Sequence, residues 1–169
     1  MKTATPKRNQ PPAHALELSD ELVVFTLDEQ RYALRLAAVE RVVRAVEVTP
    51  LPKAPEIVLG MINAQGRIVP VVNVRKRFQL PEREVELSDQ FIIARTSRRT
   101  VALVVDAVNE VVPCPEAQVV AAEKILPGLE HVAGVLKLPD GMIFVHDLDR
   151  FLSLDEEQAL EAAMEQTAR

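Results

Sequence analysis

The hydrophobic and polar positions of the chain alternate in short runs that predict β-strands joined by tight turns. Residues 31–36 alternate apolar and polar or small side chains, which is the period of a half-buried strand. An apolar run at residues 22–27 precedes them, and the polar residues 28–30 lie between the two. The pattern therefore predicts a β-hairpin at the start of the folded part of the chain.

A second hairpin is predicted within residues 60–75, which read G-M-I-N-A-Q-G-R-I-V-P-V-V-N-V-R. Its two apolar runs are joined by residues 63–66, where Asn and Gly tolerate the left-handed backbone of a tight turn. Pro70 cannot donate a ladder hydrogen bond, so its strand is predicted to lie at an edge or beside a bulge. An exposed turn on a largely buried strand is a place where a partner protein could dock.

Two more hairpins are predicted over residues 91–105 and 132–145, with a loop at residues 121–129 between them. The tail differs in kind, because Ser153-x-x-Glu156 is a capping-box pattern. We expect one C-terminal helix that ends near residue 166, and its inward-facing side chains are predicted to be Leu160 and Met164.

The chain also contains an internal repeat. Residues 33–43 align with residues 102–112, and residues 60–74 align with residues 134–148 with one extra residue in the second turn. Each half then reads hairpin, bent strand, proline-bearing connection and hairpin. The repeat predicts two similar β subdomains, each closed into a small barrel, and each covering the open side of the other.

Composition narrows the classes of function. Hydrophobic residues make up 48% of the chain and aromatic residues only 4%, with no Trp, which favours an aliphatic, β-rich core. A net charge of −5 and the shortage of aromatic side chains argue against a nucleic-acid partner. The basic clusters at residues 75–77 and 95–99 are predicted to be solvated loop charges. No membrane span or signal-peptide pattern is present, which predicts a soluble, cytoplasmic protein.

The residues that carry chemistry are sparse and scattered. The five glycines lack the spacing of phosphate-binding loops, and Cys114 is the only cysteine. Asp106 and Glu110 are interpreted as solvated charges. His146-Asp147-x-Asp149 comes nearest to an acid–base or metal cluster, but its simpler interpretation is a strand end followed by a capped helix start. The sequence therefore predicts no catalytic residue, no metal site and no cofactor.

Four segments in order resemble the CheW family of bacterial chemotaxis coupling proteins. They are F-T-L-D-E-Q-R-Y-A-L at 25–34, V-E-R-V at 39–42, the stretch at 60–75, and V-V-D-A-V-N-E-V at 104–111. The resemblance covers roughly residues 20–152 with the family's usual spacing. Each segment alone is a weak signal, and the four together are specific.

The resemblance implies a mainly β fold of two five-stranded β-barrel subdomains packed around a shared core. The resemblance places a CheW-like domain at 20–152. The prolines among polar residues predict a disordered arm at 1–19, and the capping box predicts a C-terminal helix within 153–169. The resemblance also implies a non-enzymatic adaptor that binds the regulatory domain of a CheA-type histidine kinase and the cytoplasmic tip of chemoreceptors. Such a protein is expected in the cytoplasm, recruited to membrane-associated receptor arrays.

The resemblance further implies a receptor- and kinase-facing groove, which in this chain consists of Val39, Arg41, Gly60, Gln65, Gly66 and Val111. We expect Val39 and Val111 to flank the groove at equivalent positions of the repeat. Two positions depart from the family pattern, which usually has Glu where this chain has Arg41 and Arg where it has Gln65. A third departure is Asn73, where Asp is usual. We therefore hypothesise a non-standard receptor or kinase with compensating charges.

Two other functions stay open at this point. One is a CheW-like scaffold of a non-motility signalling system whose receptor binding is altered or lost. The other, from a different class, is a small enzyme built around His146 and Asp147.

Overall fold

The computed structural model describes residues 21–114, 119–121 and 132–167, whose regular structure is mainly strands and one long C-terminal helix. The strands are β1 (Glu21–Leu27), β2 (Gln30–Arg35), β3 (Val39–Arg44), β4 (Val58–Ala64), β5 (Arg67–Val72), β6 (Gln90–Arg95), β7 (Thr100–Val105), β8 (Ala107–Pro113), β9 (Val119–Ala121), β10 (Val132–Leu138) and β11 (Gly141–His146). The helices are α1 (Val74–Arg77) and α2 (Leu154–Thr167). The predicted N-terminal arm, and the predicted loop beyond Ala121, lie outside the described residues.

The strands form two sheets, and the predicted hairpins at both ends of each sequence half are present. The six-stranded sheet has the order β8-β1-β2-β11-β10-β9, and the five-stranded sheet has the order β3-β6-β7-β5-β4. Hairpin β1–β2 thus pairs with strands of the second half, and hairpin β6–β7 pairs with strands of the first half. The two halves of the repeat exchange their first hairpins, so a sequence half and a structural subdomain do not coincide.

The strand registers match the repeat. In β3 a bulge lies between Val39 and Arg41, and in β8 a bulge lies between Val108 and Glu110. These are the same positions of the aligned segments, so Val39 corresponds to Val108. The expectation that Val39 and Val111 are equivalent is therefore wrong.

The last hairpins of the two halves also match. Hairpin β4–β5 has a bulge between Val58 and Gly60, and hairpin β10–β11 has one between Val132 and Gly134. Both hairpins turn through two residues, so the extra residue expected in the second turn is absent. Equal turn lengths keep the two strands of each hairpin in the same register.

Neither sheet is a closed barrel. In the five-stranded sheet the chain that follows β3 reaches β4 through one isolated bridge, Thr49 to Met61. Prolines at positions 50 and 52 follow this bridge and cannot donate ladder hydrogen bonds. In the other sheet β9 takes the equivalent place and pairs with β10, so that sheet has six strands instead of the expected five. Two β subdomains with a C-terminal helix remain the correct description.

A shared core joins the two sheets and α2. It includes Phe25 and Leu34 of the six-stranded sheet, Ile92 and Leu103 of the five-stranded sheet, and Leu160 of α2, all fully buried. Each sheet also encloses a smaller apolar cluster of its own. Because both sheets and the helix bury side chains in one core, neither subdomain has a complete core by itself.

The C-terminal helix begins as the capping box predicts. The backbone N–H of Ser153 donates to Glu156 Oε1 at 2.8 Å, and the N–H of Glu156 donates to Ser153 Oγ at 3.1 Å. Leu160 is buried as expected, whereas Met164 is only partly buried.

Candidate interaction surface

The turn between β4 and β5 is exposed, as predicted. Gln65 and Gly66 both adopt positive φ, at 53° and 85°, which is the backbone of a two-residue turn between strands with right-handed twist. The N–H of Gly66 donates to Asn63 Oδ1 at 2.8 Å and stabilises the turn. Asn63 and Gly66 therefore stabilise the tight turn that the sequence predicts, Gly66 through its left-handed backbone and Asn63 through its side-chain hydrogen bond.

An ion pair ties β3 to this hairpin. Glu40, the extra residue of the β3 bulge, accepts a hydrogen bond from Arg67 Nη2 at 2.5 Å, next to the turn. Glu40 also accepts from Thr100 Oγ1 at 3.4 Å. The hydrogen bond from Arg67 is the main reason that the pKa of Glu40 lies below its ordinary value. The start of β3 and the β4–β5 turn therefore lie at one end of the five-stranded sheet.

This end carries an excess of arginine. Arg95, at the end of β6, lies near enough to Glu40 for its charge to help lower the pKa of that carboxyl. Arg41 and Arg95 are exposed and form no ion pair with any residue in the described part of the chain. We call the charged cluster formed by Glu40, Arg41, Arg67 and Arg95 the basic end.

Gly60, by contrast, is buried and serves the fold. A Cβ atom at this position would lie 2.2 Å from the carbonyl oxygen of Thr49, and the residue has φ of 153°. Only glycine allows the Thr49 bridge to approach β4 so closely. A side chain at position 60 is therefore excluded for a packing reason, and the residue is not exposed to a partner.

The two valines predicted to flank the groove lie in different environments. Val39 is half-buried and packs against the shared core, whereas Val111 is 52% exposed on β8. The counterpart of Val111 in the repeat is Val42, which is 37% exposed on β3. The repeat alignment pairs positions 42 and 111, and both valines are exposed.

The predicted site residues do not all lie together. The structure brings Arg41, Gln65 and Gly66 to one end of the five-stranded sheet and places Val111 on the other sheet.

Arg75 is the clearest correction to the predicted solvated charges. It is only 8% exposed and its guanidinium bridges two carboxylates, Asp28 Oδ2 at 2.9 Å and Asp106 Oδ1 at 2.7 Å. Arg83 also contacts Asp106 at 2.7 Å and pairs with buried Asp89 at 2.6 Å. These five residues form the interdomain charge network, which joins the β1–β2 turn to α1 and to the chain on both sides of the β6–β7 hairpin.

Asp106 is the centre of this network. Burial would raise the pKa of its carboxyl, but the N–H of Asp28 and the guanidinium groups of Arg75 and Arg83 stabilise the charged form and hold the pKa below its ordinary value. The prediction of a solvated Asp106 is therefore wrong. Glu110 is exposed and follows the prediction.

Two other arginines attach helix α2 to the five-stranded subdomain. Arg77 Nη2 donates to both carboxylate oxygens of Glu156, at 2.5 and 2.7 Å. Arg99 Nε donates to Glu157 Oε2 at 2.9 Å, and both side chains are largely buried. The helix that follows the six-stranded sheet is thus held by charges from the other subdomain, and the prediction of solvated charges fails for Arg77 and Arg99.

His146 and Asp147 occupy structural positions. The His146 ring is buried and stacks on Phe78 with ring centroids 4.0 Å apart. Asp147 accepts from the N–H of Asp149 and caps a short 3-10 turn, as the simpler interpretation proposed. Among the described residues, no three His, Cys, Asp or Glu side chains are grouped so that they could hold a metal ion. None of the helices in the described part of the chain is long and apolar enough to cross a membrane.

Comparison with known proteins places this geometry in a family. The family model described as a CheW-like domain matches residues 21–156. The chain is 31% identical to the chemotaxis protein CheW of Thermotoga maritima over 132 residues, which are 78% of this chain and 87% of that protein. It is 28% identical to the chemotaxis protein CheW of Treponema pallidum over 146 residues, 83% of this chain and 86% of that one.

A solved structure shows the same relationship. The scaffolding protein TtCheW from Thermoanaerobacter tengcongensis superposes with a TM-score of 0.73 at 32% identity, over 82% of this chain and 95% of that one. Both sheets, the family match and this neighbour agree with the resemblance carried by the four sequence segments. The chain belongs to the CheW family of chemotaxis coupling proteins and is a non-enzymatic scaffold or adaptor.

Proposed function

We propose that this protein is an adaptor that couples chemoreceptors to a CheA-type histidine kinase in the cytoplasm. The observation that carries the proposal is the match of the CheW-like domain over residues 21–156, which includes both sheets and the start of α2. The chain spans most of the length of its relatives, so the whole protein can share their role. The protein binds the kinase regulatory domain and the receptor's cytoplasmic tip and thereby places kinase activity under receptor control, at membrane-associated arrays.

The proposed contact surface keeps five of the six residues implied by the resemblance. Arg41, Gln65 and Gly66 are exposed at one end of the five-stranded sheet, and Val111 is exposed on β8. Val39 is half-buried, so it packs on the shared core with one part of its side chain and offers the rest to the proposed contact surface. Gly60 acts indirectly, because it allows the chain at Thr49 to lie against β4.

A second candidate function is a scaffold that binds a CheA-type kinase but has altered or lost receptor binding. The exposed guanidinium of Arg41, which has no ion pair among the described residues, favours it, because the resemblance implies a carboxylate at that position. A change of charge sign at an interface excludes a partner that suited the original charge.

Binding measurements with the purified full chain distinguish these functions. The two probes are the regulatory domain of the CheA-type kinase and the cytoplasmic tip of a chemoreceptor from the same cell, each titrated by calorimetry. We expect binding of both, and stimulation of kinase autophosphorylation when all three components are mixed. Binding of the kinase alone supports the second function, and binding of neither would refute both.

A further inference from the structure

Helix α2 is held on the rest of the molecule by a small apolar contact. Of its fourteen residues, only Glu157, Leu160 and Ala163 are buried. Leu160 and Ala163 belong to the shared core, and Met164 is partly buried against it. Leu154, the first residue of the helix, is 57% exposed. A helix with so narrow an apolar stripe gains little stability from the burial of hydrophobic surface.

Ion pairs provide the remaining attachment, and both are formed near the start of the helix. Arg77 donates to the two carboxylate oxygens of Glu156 at 2.5 and 2.7 Å. Arg99 donates to Glu157 at 2.9 Å, and its Nη1 lies 3.3 Å from the sulfur of Met164. Arg77 ends α1 and Arg99 directly precedes β7, so both cations belong to the five-stranded subdomain. The surface beneath α2 therefore combines an apolar floor with two guanidinium groups placed for carboxylates.

The sheets do not depend on α2 for their backbone pairing. Every strand lies within the residues that the family model matches, whereas the match ends at residue 156, in the first turn of the helix. A cavity of about 340 Å³ also lies beside that first turn. Its lining includes Leu154 and Glu157 of the helix and Arg98 of the β6–β7 turn. The start of α2 is thus incompletely packed against this turn, which leaves space for the helix to move.

We propose that α2 is a detachable lid over a groove that binds acidic amphipathic helices. The groove is the surface around Arg77 and Arg99 together with the part of the shared core that Leu160 and Ala163 cover. It selects the pattern Glu-Glu-x-x-Leu-x-x-Ala, which α2 carries at residues 156–163.

In the described state α2 fills its own groove, and on opening it gives way to a helix of the same chemistry from another protein. Because α2 is tethered to the groove, a separate helix binds only to the open fraction of the molecules. The lid therefore sets the apparent affinity of the groove. The proposal does not rest on the proposed function, since the groove contains none of the residues assigned to the proposed contact surface.

Native-state hydrogen exchange of the full chain, followed by NMR, measures whether α2 opens by itself. After correction for intrinsic rates, we expect the amides of residues 158–163 to exchange at least about tenfold faster than those of β1 and β7, because opening of α2 breaks no strand ladder. Their exchange should depend less on urea and should increase between about 50 and 300 mM NaCl, as the ion pairs are screened. Equal protection and equal urea dependence of helix and strands would overturn the lid.

A synthetic peptide that copies residues 153–167 tests the groove. It carries a fluorescent label and is titrated by anisotropy against the full chain with Leu160→Asp, which removes the main apolar anchor of the lid, and against the unmodified chain. We expect the Leu160→Asp chain to bind the peptide at least about tenfold more tightly, because its own helix no longer fills the groove. The matched control is Leu154→Asp, at an exposed leucine of the same helix, which should bind within about twofold of the unmodified chain.

Two further variants show whether binding uses the groove. A peptide that itself carries Leu160→Asp should not bind, and addition of Arg99→Glu to the Leu160→Asp chain should abolish binding, because a carboxylate then faces Glu157 of the peptide. Equal binding of both peptides, or no binding of the original peptide to a Leu160→Asp chain that still melts cooperatively, would overturn the groove.

A measurement on the unmodified chain decides the question if Leu160→Asp does not fold. Excess unlabelled peptide should displace α2 and raise the exchange rate of the helix's own amides severalfold, while the amides of β1 and β7 stay protected. An unchanged exchange rate of α2 would refute the proposal. Failure of the kinase domain or the receptor tip to bind the protein would refute the proposed function and leave these results unaffected.

Discussion

In the five-stranded sheet the chain that follows the edge strand reaches β4 through a single bridge at Thr49, whereas in the six-stranded sheet β9 pairs with β10 over three residue pairs. The bulges and hairpin registers on either side of these contacts are otherwise the same. The ends differ more strongly, because Arg41 and Arg95 correspond to Glu110 and Thr26. Backbone pairing is thus repeated where side chains face the shared core, while charge varies where they face solvent.

The comparison also shows why the two subdomains depend on each other. Their first hairpins are exchanged between the sequence halves, and the interdomain charge network joins the β1–β2 turn to α1. Helix α2 follows the six-stranded sheet but forms ion pairs with Arg77 and Arg99 of the other subdomain. A change in one subdomain should therefore be measured as a change in the cooperative unfolding of the whole protein.

The largest effect is expected at Gly60, beside the Thr49 bridge that stands where the other sheet has β9. Gly60→Ala places a Cβ against the carbonyl of Thr49 and should lower the free energy of unfolding by about 3 kcal/mol. Urea unfolding followed by circular dichroism measures it. The matched control is Gly66→Ala, where no atom lies within 4 Å and only the left-handed φ opposes the substitution, at about 1 kcal/mol. Equal costs at the two positions would contradict the close approach.

Removal of the arginine that links the subdomains should have the next largest effect. Arg75→Met leaves Asp28 and Asp106 without their shared counterion and should cost about 2 kcal/mol, less than for a fully buried pair because both carboxylates are partly exposed. Lys76→Met, next to it on α1 and paired only with exposed Glu56, is the control and should cost less than about 0.5 kcal/mol. Equal stability of the two variants would mean that the network contributes nothing.

The same network predicts a dependence on pH. The pKa of Asp106 is lower in the folded protein than in the unfolded chain, so this carboxylate stabilises the fold above its unfolded pKa of about 4. That stabilisation is lost as the pH falls through the lower folded pKa. Asp106→Asn should therefore reduce the difference in stability between pH 7 and acid, as measured by urea unfolding at each pH. An unchanged pH profile would exclude Asp106 as a contributor.

Substitution of the two valines that were expected to be equivalent should change the free energy of unfolding by different amounts. Val39→Asp places a carboxylate beside the shared core and should cost about 1.5 kcal/mol, whereas Val111→Asp at an exposed site should stay within about 0.5 kcal/mol. Thermal and urea unfolding measure both. If Val111→Asp weakens partner binding and leaves the free energy of unfolding nearly unchanged, Val111 is a contact residue. Equal destabilisation would show that Val111 is also part of the core.

The smallest effect concerns the turns of the matching hairpins. Gln65 has positive φ, whereas its counterpart Pro139 cannot adopt that conformation, so only the β4–β5 turn gains from a residue that tolerates it. Gln65→Asn should raise the free energy of unfolding by about 0.5 kcal/mol. Urea unfolding of paired samples can resolve this difference. A loss of stability would mean that the Gln65 side chain contributes more than its backbone costs.

Much of the candidate site could be predicted from local sequence pattern. What could not be predicted depends on contacts between segments that are distant in the chain. The exposure of Gln65 and Gly66 follows from turn chemistry, and the position of Arg41 follows from the family segment V-E-R-V. Gly60 is expected in the partner-facing groove, whereas the structure gives it a packing role that depends on the approach of Thr49 from another segment. The alignment of residues 33–43 with 102–112 already pairs Val42 with Val111, and both are exposed in the structure. The charge of the basic end requires knowledge of which strand ends lie together.

The sequence by itself determined the hairpins, the capping box, the repeat and the family, because each depends on residues close in the chain or on motif order. Only the tertiary structure decided that the halves exchange their hairpins, that Arg75 is buried, and that Arg41 and Arg95 lie around Glu40. Strand alternation records which face of a strand is apolar, but not which distant strand pairs with it. A long charged side chain has the same local pattern in solvent or in a buried ion pair, since its counterions come from distant parts of the chain.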